Sequence, residues 1–463
     1  MTRSQAIANA AEYFDLGAFK ADLARRVAIP SESQNPDARA ELQRYVREEM
    51  IPALEALGFQ TRVIEQAGAP GPFLYAERNE GEGRPTVLGY GHGDVIRGLA
   101  KSWNAGIEPW KLVEKDGRYY GRGTADNKGQ HTINLAALDA VLKARGSLGF
   151  NAKWLIEMGE ECGSRGLREV CEANKALLTA DVFIASDGPR LSAERPTVFL
   201  GSRGCAAIDM WIDAREGGHH SGNWGGLLSS PAIQLVHALS TITDEKGRIL
   251  VPELKPDRIS NSVRAALADC KIETSPGDPE IDPTWGEPGL SLAEKVFGWC
   301  AFEILAMTSG VPESPVNAIP PRAWARTQVR FVVGVDPNNF VPALRRHLDK
   351  HGFPMVQVAP AAGDEIMHAT RLDPDHPWVK WSVASIAKTT GAPPAILPNL
   401  GGSLPNDIFA DVLGLPTVWV PHSYPGCSQH APNEHLPMAL AREALQIMAG
   451  LYWDLGEPGT PVR

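Results

Sequence analysis

Through the first two hundred residues, short apolar runs alternate with segments of helical spacing. "RPTVLGYGHGDV", "FNAKWLIEMGEE" and "ADVFIASDG" read as strands. Between the first two, "NKGQHTINLAALDAVLKARG" reads as a helix. It carries Ile133, Ala137, Leu138, Val141 and Leu142 on one side, and Gly146 is its stop. Helical spacing also covers "LQRYVREEMIPALEALGF", ending at Gly58, and the amino-terminal "MTRSQAIANAAEYFDLGAFKADLARRV" reads as one amphipathic helix. This alternation predicts βα units around a mostly parallel sheet with helices on both faces.

The style changes near Gly204. "CAAIDMWIDARE" alternates polar and apolar like a strand with one exposed face, and "SPAIQLVHALSTI" follows as a helix. A Pro/Gly-rich stretch from "VPELKPDRISNS" to "SPGDPEIDPTWGEPG" reads as long connections. The strands "RAWARTQVRFVVGVD" and "HGFPMVQVAP" then flank the helix "NNFVPALRRHLDK". The βα style returns at "HPWVKWSVASIAKTTG" and closes with the strand "PTVWVP". The expectation is an α/β domain built from residues 1–203 and 374–463, interrupted by a smaller α+β domain at 204–373.

Composition narrows the partners. A chain of 463 residues exceeds what one core organises. The balance of 45 Lys/Arg against 55 Asp/Glu gives a net charge of −10. With no cationic run, nucleic acid and anionic membrane are excluded as main partners. Six scattered cysteines lack CxxC spacing, which argues against a disulfide framework or a thiolate zinc site and for a reducing cytoplasm. No stretch approaches ~18 uninterrupted apolar residues, so no membrane span is expected. The amino-terminal helix lacks the apolar run of a signal peptide.

The candidate chemistry gathers where the strands end. His92 and Asp94 follow one strand, Glu160 and Glu161 another, and Asp187 a third; His430 lies in the loop after "PTVWV", and Asp126 precedes a helix. In an open α/β sheet, ligands bind at the carboxyl ends of the strands. Two histidines with three carboxylates suit zinc, cobalt or manganese. Five ligands are too many for one tetrahedral site that keeps a water, but they fit two ions if one carboxylate bridges. One glutamate of the Glu160–Glu161 pair is then left to move a proton from water to a leaving amine.

The ordered segments "GHGDV", "GRGTADNKG", "EMGEECGSRG", "SDGP" and "SQHAPNEH" resemble the signatures of the dinuclear zinc peptidase family. That family includes aminoacylase, carnosine dipeptidase, carboxypeptidase G, tripeptidase and succinyl-diaminopimelate desuccinylase, and the resemblance spans essentially the whole chain. It implies a catalytic α/β domain interrupted by a lid and dimerisation domain. It also implies one metal held by His92 and Asp187, a second by Glu161 and His430, and Asp126 bridging them before a cis Asp126–Asn127 peptide. Glu160 would be the base, and Asp94 would fix the tautomer of His92. In the inserted domain, "GGHHSGNWGG" implies that His220 reaches a neighbouring subunit's site and stabilises the oxyanion. "VNAIP" and "TQVRF" offer Asn317 and Arg330 for a substrate carboxylate, and "LGGSLP" makes Gly402 and Ser403 substrate contacts.

His435 competes with His430, and His219 with His220; either of the latter pair could instead cap the following helix. Where relatives commonly carry a proline after the first motif, this chain has Ile96-Arg97-Gly98, which puts a cation near the pocket mouth. Asp187 and "STITDEKGRILVPEL" lean toward the dipeptidase-like branches. The resemblance therefore implies a homodimer that hydrolyses an amide bond in a dipeptide or N-acyl amino acid. The means would be a hydroxide held between two divalent ions, zinc first with manganese or cobalt as alternatives. A deacylase or carbamoyl hydrolase of acetylornithine or succinyl-diaminopimelate type is the competing enzyme reading. A non-catalytic metal-bound binding protein on the same scaffold is the other.

Overall fold

The computed structural model describes residues 2–272, 279–363 and 366–461. Its amino-terminal segment is two helices, Arg3–Asp15 and Ala18–Val27, where the sequence pattern reads as one. Gly17 between them has φ 80°, a left-handed conformation that stops a right-handed helix. The next helical run, from Arg39 to Ala56, passes through a π-type turn at Tyr45–Met50. Pro52 follows directly; its ring crowds the carbonyl four residues back, and it has no N–H to donate.

An eight-stranded sheet organises the larger part of the molecule. In spatial order its strands are Gln60–Ile64, Phe73–Arg78, Asn151–Glu157, Thr86–His92, Val182–Ala185, Thr417–Trp419, Thr197–Phe199 and Ala395–Leu397. The central strands run parallel, and the antiparallel pairings lie towards the two sides. Successive residues feed two different cores, which explains why these strands read as continuous apolar runs. Val182 and Ile184 join one core with helices Lys128–Arg145 and Met438–Leu455, while Phe183 and Ala185 join the other. The second core centres on Trp419, with ring centroids 4.9 Å from Phe183 and 5.5 Å from Phe199.

The inserted region builds a four-stranded antiparallel sheet, ordered Ala301–Ser309, Arg322–Phe331, Gly204–Asp213, Gln357–Pro360. Burial alternates along Gly204–Asp213 and Arg322–Phe331, and the buried face packs on helices Pro231–Leu239 and Phe340–Lys350. The Pro/Gly-rich stretch is more than connection. It carries helix Asn261–Leu267, capped by Ser260, and helix Leu292–Phe297, which has a Ser291/Glu294 capping box. Residues 273–278 of that stretch lie outside the described residues. Ile259, Val263, Leu267 and Trp299 enter the same core as Phe199 and Leu397, so this part of the insertion docks on the large sheet.

Trp419 is fully buried and donates its indole N–H to Asn406 Oδ1 at 2.7 Å. Trp419→Ala is expected to destabilise the protein by about 3–5 kcal/mol through the cavity and the orphaned amide. The urea midpoint measures this, and a loss under about 1 kcal/mol would show that this cluster is not a central support of the fold.

Candidate metal centre

Strand ends and the loops after them deliver the candidate side chains. His92 is the last residue of Thr86–His92. Glu160 and Glu161 form the turn just after Asn151–Glu157, and Asp187 lies two residues past Val182–Ala185. Asp126 stands before helix Lys128–Arg145, and the Asp126–Asn127 peptide is cis. His430 lies on the loop after Thr417–Trp419.

These residues converge. His92 Nε2 lies 3.1 Å from Asp126 Oδ1 and 3.6 Å from Asp187 Oδ2. His430 Nε2 lies 3.2 Å from Asp126 Oδ2 and 2.9 Å from Glu161 Oε2. Two sets of possible ligand atoms result, His92–Asp126–Asp187 and Asp126–Glu161–His430, each with all atoms within 4.8 Å of one another. Asp126 belongs to both and offers one oxygen to each. Asp187 Oδ2 is buried and has no hydrogen-bond partner among the described residues.

The electrostatics fit a cation. Burial, followed by the charge of Asp126, pushes Glu161 up to about 7 despite His430. Burial likewise lifts Asp187 to about 6, against the pull of His92. Glu160 lies well above the usual carboxyl range, through burial and the negative charges of Glu161, Asp187 and Asp126, which outweigh His92. Hydrogen bonds from His430 to Asp126 and Glu161 raise its imidazole to about 11. Four carboxylates thus crowd two imidazoles: Glu160, Glu161 and Asp187 are held above the usual carboxyl range, while Asp126, despite its burial, is held below it by hydrogen bonds from His430 and His92. A divalent cation among these oxygens and nitrogens reverses that balance, favouring ionised carboxylates and neutral imidazoles.

Asp94 sits behind the cluster. Its backbone carbonyl is 3.0 Å from His92 Nδ1 and its carboxylate 3.4 Å from the same nitrogen. The carboxylate also accepts the backbone N–H of Glu160 at 3.2 Å and of Glu161 at 3.1 Å. One aspartate therefore orients His92 and the glutamate pair together. From the amino-terminal region, Gln34 Nε2 donates to the Glu161 carbonyl at 3.2 Å. No sequence pattern marks Gln34. Arg97 is exposed on this rim, with Nη2 3.5 Å from the Gln34 carbonyl.

The remaining candidates divide. Arg330, near the end of Arg322–Phe331, donates Nη1–H to Ser403 Oγ at 2.7 Å, and Ser403 donates to the Arg203 carbonyl at 2.7 Å. Gly402 is exposed beside Ser403. His220 is exposed, and its Nδ1 accepts the Gly222 N–H at 3.1 Å, which caps the short helix after it. The Asn317 carbonyl accepts the Ser221 N–H at 2.9 Å on the same part of the insertion. Among the described residues, neither His220 nor Asn317 hydrogen-bonds to the metal-centre side chains. His435 packs tilted against Tyr120, ring centroids 5.1 Å apart, away from the cluster.

The sequence profile of peptidase family M20/M25/M40 matches residues 88–454, and the chain belongs to that family. A Beta-Ala-His dipeptidase of Mus musculus is 27% identical over 285 residues, covering 60% of this chain and 58% of that protein. A Cysteinylglycine-S-conjugate dipeptidase of Corynebacterium striatum is 31% identical over 258 residues, 53% of each. The chain thus spans little more than half the length of these curated relatives in the aligned regions. An M20 family metallo-carboxypeptidase from Sulfolobus solfataricus has a similar structure, with a TM-score of 0.79 at 25% identity over 95% of this chain and 99% of that one.

Asp126→Ala removes the carboxylate common to both sets of ligand atoms. It is expected to weaken zinc binding by more than roughly 100-fold, beyond what loss of an outer contact causes. Chelator competition measures this, and unchanged zinc affinity would refute the shared role of Asp126.

Proposed function

We propose that the chain is a metal-dependent dipeptidase that hydrolyses the amide bond of a dipeptide or closely related N-acyl amino acid. The observation that carries this reading is the Asp126 carboxylate, with one oxygen 3.1 Å from His92 and the other 3.2 Å from His430. Family membership and the dipeptidase names of the relatives support the substrate class. His92 and Asp187 would hold one divalent ion, Glu161 and His430 a second, with Asp126 between them; zinc is the first choice and manganese or cobalt the alternatives. When bound, these ions supply Lewis acidity to the scissile carbonyl and to water at neutral pH.

The chain's own residues do the rest. Glu160 takes a proton from the attacking water on its carboxylate and returns it to the leaving amine nitrogen. Asp94 keeps the turn carrying Glu160 in register with His92 through its two amide hydrogen bonds. Arg330, oriented by Ser403 and Gln328, presents its guanidinium to the substrate carboxylate, which Asn317 would also contact, and Gly402 and Ser403 would contact the substrate backbone.

His220 stands on the surface of its own chain, so its oxyanion role needs a second copy. The outer strand Ala301–Ser309 exposes Ile304, Leu305 (54% exposed) and Met307, and helix Pro231–Leu239 exposes Ile233 (62%) and Val236. Exposed apolar side chains on this edge strand and on this helix support a homodimer through the inserted domain. The net charge of −10 supports a small-molecule partner over nucleic acid or an anionic membrane surface. Six free thiols support a cytoplasmic location.

The test strips the protein with chelator, restores zinc, manganese or cobalt, and assays dipeptides beside N-acetyl, N-succinyl and N-carbamoyl amino acids. Metal-dependent turnover on dipeptides is expected. Turnover confined to one acyl class would assign a deacylase instead. Glu160→Ala is expected to cut kcat by roughly 10²–10⁴-fold while metal content stays at the wild-type level; retained turnover would remove Glu160 from the mechanism. Val236→Asp combined with Leu305→Asp is expected to give monomers in sedimentation and to lower turnover with the metal still bound. A fully active monomer would refute the part played by a second His220.

A further inference from the structure

Glu434 stands four residues after His430, on the same loop, and is 1% exposed. Its Oε1 accepts the backbone N–H of Ala125 at 2.9 Å and of Asp126 at 3.0 Å. Its Oε2 accepts the Gly123 N–H and Arg122 Nη1–H, both at 2.9 Å. The Glu434 backbone carbonyl also accepts the Gly121 N–H at 3.1 Å. With two donors on each oxygen, this carboxylate is committed to protein donors and is not available as a ligand.

We propose that Glu434 is a positioning residue for the half of the metal centre formed by Glu161 and His430, tying the loop that carries His430 to the loop that carries Asp126. This rests on the metal-centre reading given above. Two observations make the effect selective. Asp126 is anchored toward His92 and Asp187 by other groups: Asn127 Nδ2 donates to the Ser186 carbonyl at 2.8 Å, next to Asp187. Asn127 Oδ1 also faces His131 Nδ1 at 3.2 Å, and His131 Nε2 is 2.6 Å from the Tyr45 hydroxyl. The support that the His430 loop has of its own lies away from the shared carboxylate, where Asn433 Oδ1 accepts the Asn104 N–H at 2.8 Å. His430 and Asn433 sit at φ 58° and 64°, an uncommon left-handed conformation that histidine and asparagine enter more readily than most side-chain-bearing residues. Apart from His430 itself, the contact of this loop with the Asp126 carboxylate is Gln429 Nε2 at 3.5 Å, the limit of a hydrogen bond. Without Glu434, the shared carboxylate stays with His92 and Asp187, and His430 drifts from it.

Zinc is the probe. Chelator competition and metal content are measured for wild type, Glu434→Gln, and the double variant Arg122→Met/Glu434→Met. The Gln amide nitrogen cannot accept an N–H, so one pair of hydrogen bonds is lost. The double variant removes both buried charges together, so no lone cation remains, and it carries the test if the single variant fails to fold. Wild type is expected to bind two ions. Both variants are expected to keep the first ion at wild-type affinity and to bind the second roughly 10–100-fold more weakly. Two ions at wild-type affinity in the folded double variant would overturn the proposal, and so would equal weakening of both ions, which marks a general structural role. A wild-type protein that binds no zinc would instead fail the metal-centre reading, and the wild-type measurement alone reveals that.

Discussion

The constraint that governs this molecule is the cost of holding four carboxylates beside two imidazoles at one edge of a sheet. Like charges a few ångströms apart, in a site largely removed from water, repel strongly and resist ionisation. The backbone holds them there. Asp94 takes the amides of Glu160 and Glu161, and Glu434 takes those of Ala125 and Asp126. Each residue whose backbone amide is held in this way loses the freedom to move away from its neighbours. The assembled edge is therefore a site built for a strong positive charge, and its groups titrate abnormally without one.

Much of this was legible in the chain. The central strands announced themselves because both faces of each are buried, which leaves uninterrupted apolar runs such as Val182–Ala185. His92, Glu160, Glu161, Asp187 and His430 were legible because each follows such a run, where a parallel sheet opens its crevice, while Asp126 was marked by its place just before a helix. Arg330 and Ser403, widely separated in sequence, were picked out by resemblance alone, and the fold brings them to 2.7 Å.

What stayed hidden has a common physical character. Gln34 acts by a hydrogen bond to a backbone group more than a hundred residues away, and such a bond leaves no periodic trace in a sequence. The break at Gly17 turns on the conformation of a single residue, which the apolar spacing on either side does not register. The Pro/Gly-rich stretch reads as loop because its helices are short, yet Val263 and Leu267 take their stability from packing in a distant core rather than from helix propensity.

The two halves of the centre differ in how they are supported, and that difference organises the chemistry. His92 and Asp187 stand at or just past strand ends and are buried, so the sheet itself sets their separation. Glu161 and His430 stand on loops, and His430 leaves 58% of its side chain exposed. The loop half is also the half nearest the rim, where Gln34 touches Glu161 and Arg97 touches Gln34. In the function proposed above, substrate would enter past His430, the exposed member of the centre, while Glu161, His92 and Asp187 lie buried beneath it. In that proposed function, a site divided in this way would let a small molecule come and go against loops held by hydrogen bonds and leave the strand ends that set His92 and Asp187 undisturbed.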